Sequence, residues 1–172
     1  MVKKSKATRV RRNKRVSDQT GIEEVESLAA DLLIAGVSIN QLVRCYASFL
    51  RQLIESGALS EISFEKLEMM SSYLDKVLMP GLLESDQEQR KSFFVALWPI
   101  ERECRNSDPV FANFVRCVIC CFGNEEDWEL DDTGEDTPLW YFLFYIKKVC
   151  PEIKDDFLQY FKGALNKSGR PD

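Results

Sequence analysis

The stretch Pro109-Val-Phe-Ala-Asn-Phe-Val-Arg-Cys-Val-Ile-Cys-Cys-Phe122 decides the fold, because its apolar side chains run nearly all the way round a helix. A helix without a polar face has no side to turn to water and belongs at the centre of a domain. Asp108 before Pro109 reads as an N-cap followed by proline at the first helical position, where the missing N–H costs nothing. Thr137-Pro138 repeats that punctuation and opens a second apolar stretch, Pro138 to Val149. Two central helices need others around them, so the expected fold is all-α, a single-domain helical bundle.

The flanking sequence supplies the wrapping helices. Thr20-Gly21-Ile22-Glu23 reads as a capping box, and Ile22, Val25, Ala29, Leu32 and Leu33 follow at helical spacing up to Gly36. Ser38-Ile39-Asn40-Gln41 repeats the box ahead of a stripe through Ile39, Leu42, Val43, Tyr46, Leu50, Leu53 and Ile54, stopped by Gly57. Ser63 opens a third helix that closes at Met79-Pro80-Gly81, and Ser85-Asp86-Gln87-Glu88 caps a fourth bearing Phe93, Phe94, Leu97 and Trp98. Pro99 is expected to kink or end that helix, with a short turn carrying Ile100 and Cys104 after it. The last helix, about 152–165, presents Ile153, Phe157, Tyr160, Phe161 and Ala164 on one face. Seven helices result, with no strand and no internal repeat. The domain is expected to span 20–165, with a disordered arm at 1–19 and a frayed tail at 166–172.

Composition agrees with this reading. A chain of 172 residues with 8 glycines and 6 prolines suits one domain of long helices. No apolar run approaches the roughly 20 residues that cross a bilayer, and the charged N-terminus lacks the apolar core of a secretory signal. The expected location is therefore the nucleus or cytoplasm, without secretion or membrane contact. There the six cysteines (Cys45, Cys104, Cys117, Cys120, Cys121 and Cys150) stay reduced.

The net charge of −5 hides an asymmetry. Of 23 basic residues, eight (Lys3, Lys4, Lys6, Arg9, Arg11, Arg12, Lys14 and Arg15) fall within residues 1–16, which hold no acid. The remaining 15 face 28 acids, so a +8 arm is joined to a −13 body. The arm offers almost no apolar surface to offset chain entropy and is not expected to fold alone. Arginine pairs bidentately with phosphate, and each neutralised phosphate releases counterions, so the arm suits salt-sensitive nucleic-acid binding. Thr8-Arg9-Val10-Arg11-Arg12-Asn13-Lys14-Arg15 resembles the arginine-rich motifs of viral RNA-binding proteins, a likeness that implies RNA as partner. The same cluster resembles a nuclear-import signal, which implies an import receptor. A solubilising tail without a specific ligand is the third reading.

Residues 124–136 form the acidic counterpart. Glu125, Glu126, Asp127, Glu129, Asp131, Asp132, Glu135 and Asp136 surround Trp128 and Leu130, with no base among them. Their spacing does not fit an EF-hand. Three roles suit such a segment: docking a basic partner, holding the chain's own arm as an autoinhibitory contact, or serving as a solvated connection between two apolar helices.

Chemistry is narrowed by what is missing. The chain has no histidine, which removes histidine-dependent triads, histidine-containing zinc sites and histidine phosphotransfer. It has no phosphate-binding glycine loop. Cys117-Val-Ile-Cys120 matches C-x-x-C but falls in mid-helix, whereas redox cysteines sit at a helix N-terminus that lowers the thiol pKa. A four-cysteine zinc site from Cys104, Cys117, Cys120 and Cys150 lacks a second closely spaced pair, so buried core thiols are expected. No catalytic residue, cofactor or metal is expected. The preferred expectation is a non-enzymatic nucleic-acid-binding accessory or regulatory protein, with RNA favoured and the helical body recruiting a partner or self-associating. The alternative is a helical protein-interaction adaptor whose arm is an import signal. The apolar central pair resembles the Bcl-2 architecture, but that family's Asn-Trp-Gly-Arg signature is absent and its function is not carried over.

Overall fold

A computed structural model of the chain describes residues 21–124 and 138–168, and every regular element in them is a helix. Eight helices follow in order: α1 over 21–34, α2 Ile39–Glu55, α3 Phe64–Leu78, α4 Leu82–Ser85, α5 Gln87–Cys104, α6 Pro109–Cys120, α7 Pro138–Val149 and α8 Lys154–Ser168. The all-α bundle expected from the sequence is what the chain forms.

The start and stop signals work as local chemistry dictates. The Ser38 box closes in both directions: the Gln41 N–H donates to Ser38 Oγ at 3.2 Å, and the Ser38 N–H donates to Gln41 Oε1 at 2.8 Å. Asp108 accepts from the Phe111 N–H at 3.0 Å, with Pro109 at the first helical position. Gly36 and Gly57 take φ of +71° and +74°, a region costly for side-chain-bearing residues. That turn lets the N–H of Val37 reach back to the Leu32 carbonyl, and that of Ala58 to Leu53. Thr20 and Thr137, read as caps, lie outside the described residues.

Four expectations are corrected. Ser85 does not cap the fourth long helix; Asp86 does, accepting from the Gln89 N–H at 2.8 Å. Ser85 instead closes α4, a single turn whose Leu82 and Leu83 are buried. Pro99 does not end α5, and no separate turn carries Ile100 and Cys104, because the helix runs through the proline to Cys104. Pro99 faces solvent, as does Val95, whose carbonyl loses its partner and can turn to water. On the opposite face Leu97 and Glu101 are both buried, so the helix stays anchored through the proline. At the far end, Cys150-Pro151-Glu152-Ile153 is a turn closed by the Ile153 N–H on the Cys150 carbonyl at 3.1 Å, so α8 starts later than expected. The helix then runs to Ser168, past the expected boundary at 165, because the next strong breakers are Gly169 and Pro171.

The core forms around α6, which packs against α5 and α7 and also meets α2 and α3. Phe111, Phe114, Val115, Cys117 and Val118 are among its buried side chains. Aromatic rings join α2, α7 and α8: Tyr46 stacks on Phe142 with centroids 4.2 Å apart, and Phe157 lies 4.6 Å from Phe161. The two apolar helices are not equivalent. While α6 is central, α7 buries Leu139, Phe142, Leu143, Ile146 and Val149 but turns Phe144, Lys147 and Lys148 outward.

Candidate nucleic-acid interface

The arm residues Lys3, Lys4, Lys6, Arg9, Arg11, Arg12, Lys14 and Arg15 lie outside the described residues. So do the acidic-segment residues Glu125, Glu126, Asp127, Trp128, Glu129, Asp131 and Asp132. The fold nevertheless places the points from which both segments issue. The arm joins the body at Gly21, and the acidic segment is bounded by Asn124 and Pro138.

Gly21 opens onto a cleft of about 440 Å³ between α1, α7 and the start of α8. Ile22, Trp140, Leu143, Phe144, Lys147, Lys148 and Lys154 form the rest of its wall, which contains no acidic side chain among the described residues. One stripe of α7 organises it. Trp140 and Phe144, one helical turn apart, stack with centroids 5.2 Å apart and planes 17° from parallel. Lys148, the next turn on, holds its ammonium 4.1 Å from the Phe144 centroid. Lys154 comes from α8 and lies beside Gly21, so close that an added Cβ there would meet its Nζ at 3.4 Å. Its Nζ also pairs with Glu24 Oε2 at 2.5 Å at the rim, which holds the Glu24 carboxyl below its usual range. The cleft thus combines an apolar floor, an exposed ring edged by a stacked indole, and three ammonium groups.

A second cleft, about 620 Å³, lies beside the start of the acidic segment and is lined by Asn40, Arg90, Phe94, Phe122 and Asn124 among others. Arg90 is 2% exposed, and its guanidinium faces backbone. Nε donates to the Phe122 carbonyl at 3.0 Å, Nη1 to Asn40 Oδ1 at 2.9 Å, and Nη2 to the Gly123 carbonyl. These bonds satisfy carbonyls left over where α6 ends, and they tie that exit to α2 and α5. Sequence reasoning misses Arg90 as an anchor. A signal for it exists, since Arg90, Phe93, Phe94 and Leu97 share one helical face, an apolar stripe beginning with a charge.

The cysteines do not make a reactive centre. Cys117, Cys120 and Cys121 are buried, as expected, although Cys117 and Cys120 occupy the last turn of α6 rather than its middle. Burial pushes the Cys120 thiol up to about 12 and raises Cys117 and Cys121 as well. Such thiols stay protonated and unreactive at neutral pH. Among the described residues no group of three or more Cys, Asp or Glu is placed to hold a metal ion. Nor is any helix among them long and apolar enough to cross a membrane.

Comparison of the chain with protein-family models, curated proteins and solved structures found no match, so its own residues carry the functional reading.

Proposed function

We propose that this protein is a non-enzymatic nucleic-acid-binding accessory or regulatory protein, with RNA the favoured ligand, whose basic arm grips phosphates. The observation that supports the reading is the position of Gly21: the residue to which the eight-cation arm is joined lines the same cleft as Lys147, Lys148 and Lys154. An anionic backbone held by the arm is thereby delivered to further positive charge. Such binding is electrostatic and weakens steeply with salt.

Mobility-shift titrations against single- and double-stranded RNA and DNA test it. The full chain should bind, and a chain starting at Ser17 should lose most of that affinity. Replacing Arg9, Arg11, Arg12, Lys14 and Arg15 together should flatten the salt dependence. Unchanged affinity and salt slope in these variants would refute the reading.

The adaptor reading, with the arm as an import signal, draws support from a different surface. Leu33 and Ile34, at the end of α1, are 78% and 85% exposed, and apolar side chains left that open suit contact with another protein. Nuclear accumulation of a fluorescent fusion, lost with the same arginine and lysine replacements and without any nucleic-acid affinity, would select it.

A further inference from the structure

The geometry points to the α1–α7–α8 cleft as a seat for one unpaired base of a single-stranded nucleic acid, with Phe144 as the stacking surface and the three lysines as phosphate contacts. This deepens the function proposed above and rests on it for the class of ligand.

Phe144 is 40% exposed on a helix whose neighbouring Phe142, Leu143 and Ile146 are buried. It is also held in place. The Trp140 ring, itself half-buried against the core, stacks along it at 17° and fixes the plane of the phenyl group. A ring so fixed accepts a second flat partner without losing further side-chain freedom. In the free protein the Lys148 ammonium sits over that ring, and Lys148 Nζ also lies 5.8 Å from the Tyr145 centroid. The lysine stem is flexible and its head is well hydrated, so an arriving base displaces it from the ring and a phosphate receives it. Lys147, on the adjacent stripe, and Lys154, across the cleft, line the seat on either side, and Lys154 exchanges its Glu24 carboxylate for a phosphate when the backbone arrives.

The cleft discriminates by strandedness. A duplex offers base edges and two phosphate rims, with its ring faces already stacked, while a single strand offers the faces themselves. Every base has a π-face, so the seat tolerates sequence and accepts ribose or deoxyribose.

The test compares full-length wild type, Phe144→Leu, Phe144→Tyr and the chain starting at Ser17. The ligands are an oligouridylate of about ten nucleotides, a length that spans one such site, and a blunt RNA duplex. Phe144→Leu keeps an apolar side chain but removes the ring, and should weaken oligouridylate binding about 5- to 100-fold while duplex binding stays unchanged. Phe144→Tyr restores the ring and should restore the affinity, a rescue that general damage to the fold would not give. Equal oligouridylate affinity in wild type and Phe144→Leu would overturn the seat, and if removal of the arm still weakened binding, the proposed function would survive that loss. Equal loss on single strand and duplex would also overturn it, because the cleft would then supply charge alone. Binding of phosphatidylserine vesicles that depends on Phe144, with oligouridylate affinity unaffected, would reassign the cleft to a lipid surface and overturn the proposal.

Discussion

Tyr46 is fully buried, its ring stacked on Phe142, and its hydroxyl has no hydrogen-bond partner among the described residues. Burial raises the phenol well above its ordinary pKa, so the group stays neutral but keeps an unmet donor. An unsatisfied buried polar group costs about 1–3 kcal/mol, and replacing it by an apolar group of the same shape recovers part of that cost. Tyr46→Phe keeps the stacked ring and is expected to raise stability by about 1 kcal/mol in urea unfolding. A clear loss would mean that the hydroxyl is satisfied in solution by bound water. Arg90 behaves differently at the same depth. It carries a full charge and donates to carbonyls at the α6 exit as well as to Asn40, so its burial organises the fold while that of the Tyr46 hydroxyl weakens it.

At the level of elements, Glu101 fastens three helices. Its carboxylate is inaccessible to solvent and accepts from Arg105, which caps the end of α5, at 2.6 Å and from Arg116 on α6 at 2.7 Å. The Arg116 guanidinium in turn lies 5.1 Å from the Tyr145 ring of α7. The Arg105 hydrogen bond, with help from Arg116, holds the Glu101 carboxyl below its usual pKa despite its burial. The folded state therefore resists protonating Glu101 more than the unfolded chain does. Its stabilisation is complete above the unfolded value of about 4.3 and disappears as pH falls through the lower folded value. Glu101→Gln should cost about 1–3 kcal/mol at pH 7 and show a smaller difference from wild type in strong acid. Melting curves across that range measure both. A loss that persisted unchanged in acid would trace to packing instead. This cluster also explains where local signals fail. Ser38, Asp108, Gly36 and Gly57 act on adjacent backbone and are legible in the sequence, but the effect of Pro99 depends on whether the far face of α5 is held. Leu97 and Glu101 hold it through partners on another helix, which no local window contains. The Phe144 cleft is hidden for the same reason: Lys147 and Lys148 read only as the end of an apolar run, and Gly21, Trp140 and Lys154 meet only in three dimensions.

For the whole molecule, the placement of the two charged segments matters most. The arm enters at Gly21, while the acidic segment leads into Pro138, two residues before Trp140, and Gly21 and Trp140 line the same cleft. Charges of +8 and −8 are thus tethered to one small body, and a shared tether raises the local concentration at which even weak pairing counts. If the arm pairs with the acidic segment, an external polyanion has to compete for it. Neutralising Glu125, Glu126, Asp127, Glu129, Asp131 and Asp132 to the corresponding amides should tighten RNA binding up to about tenfold and slow dissociation, most visibly at low salt. Titrations at two ionic strengths decide it, and equal affinities at low salt would show that the segments do not compete. The sequence of residues 1–16 offers almost no apolar side chain for a core, so removing them should leave the melting temperature almost unchanged, and a loss of several degrees in a melting curve would show that the arm docks on the body.

The Arg90 anchor has a consequence for how the chain can be divided. Because the end of α6 is secured to α2 and α5 before the acidic segment begins, residues 21–124 contain six helices and an exit anchored within that same stretch. The remaining two helices dock by packing α7 on α6 and by setting Phe142, Phe157 and Phe161 against Tyr46 and Phe49 of α2. A polypeptide severed anywhere between 125 and 137 therefore becomes two complementary fragments, each holding half of one aromatic interface. Co-expressed, the two halves should find each other and co-purify as a reconstituted protein, and Phe142→Ala should separate them.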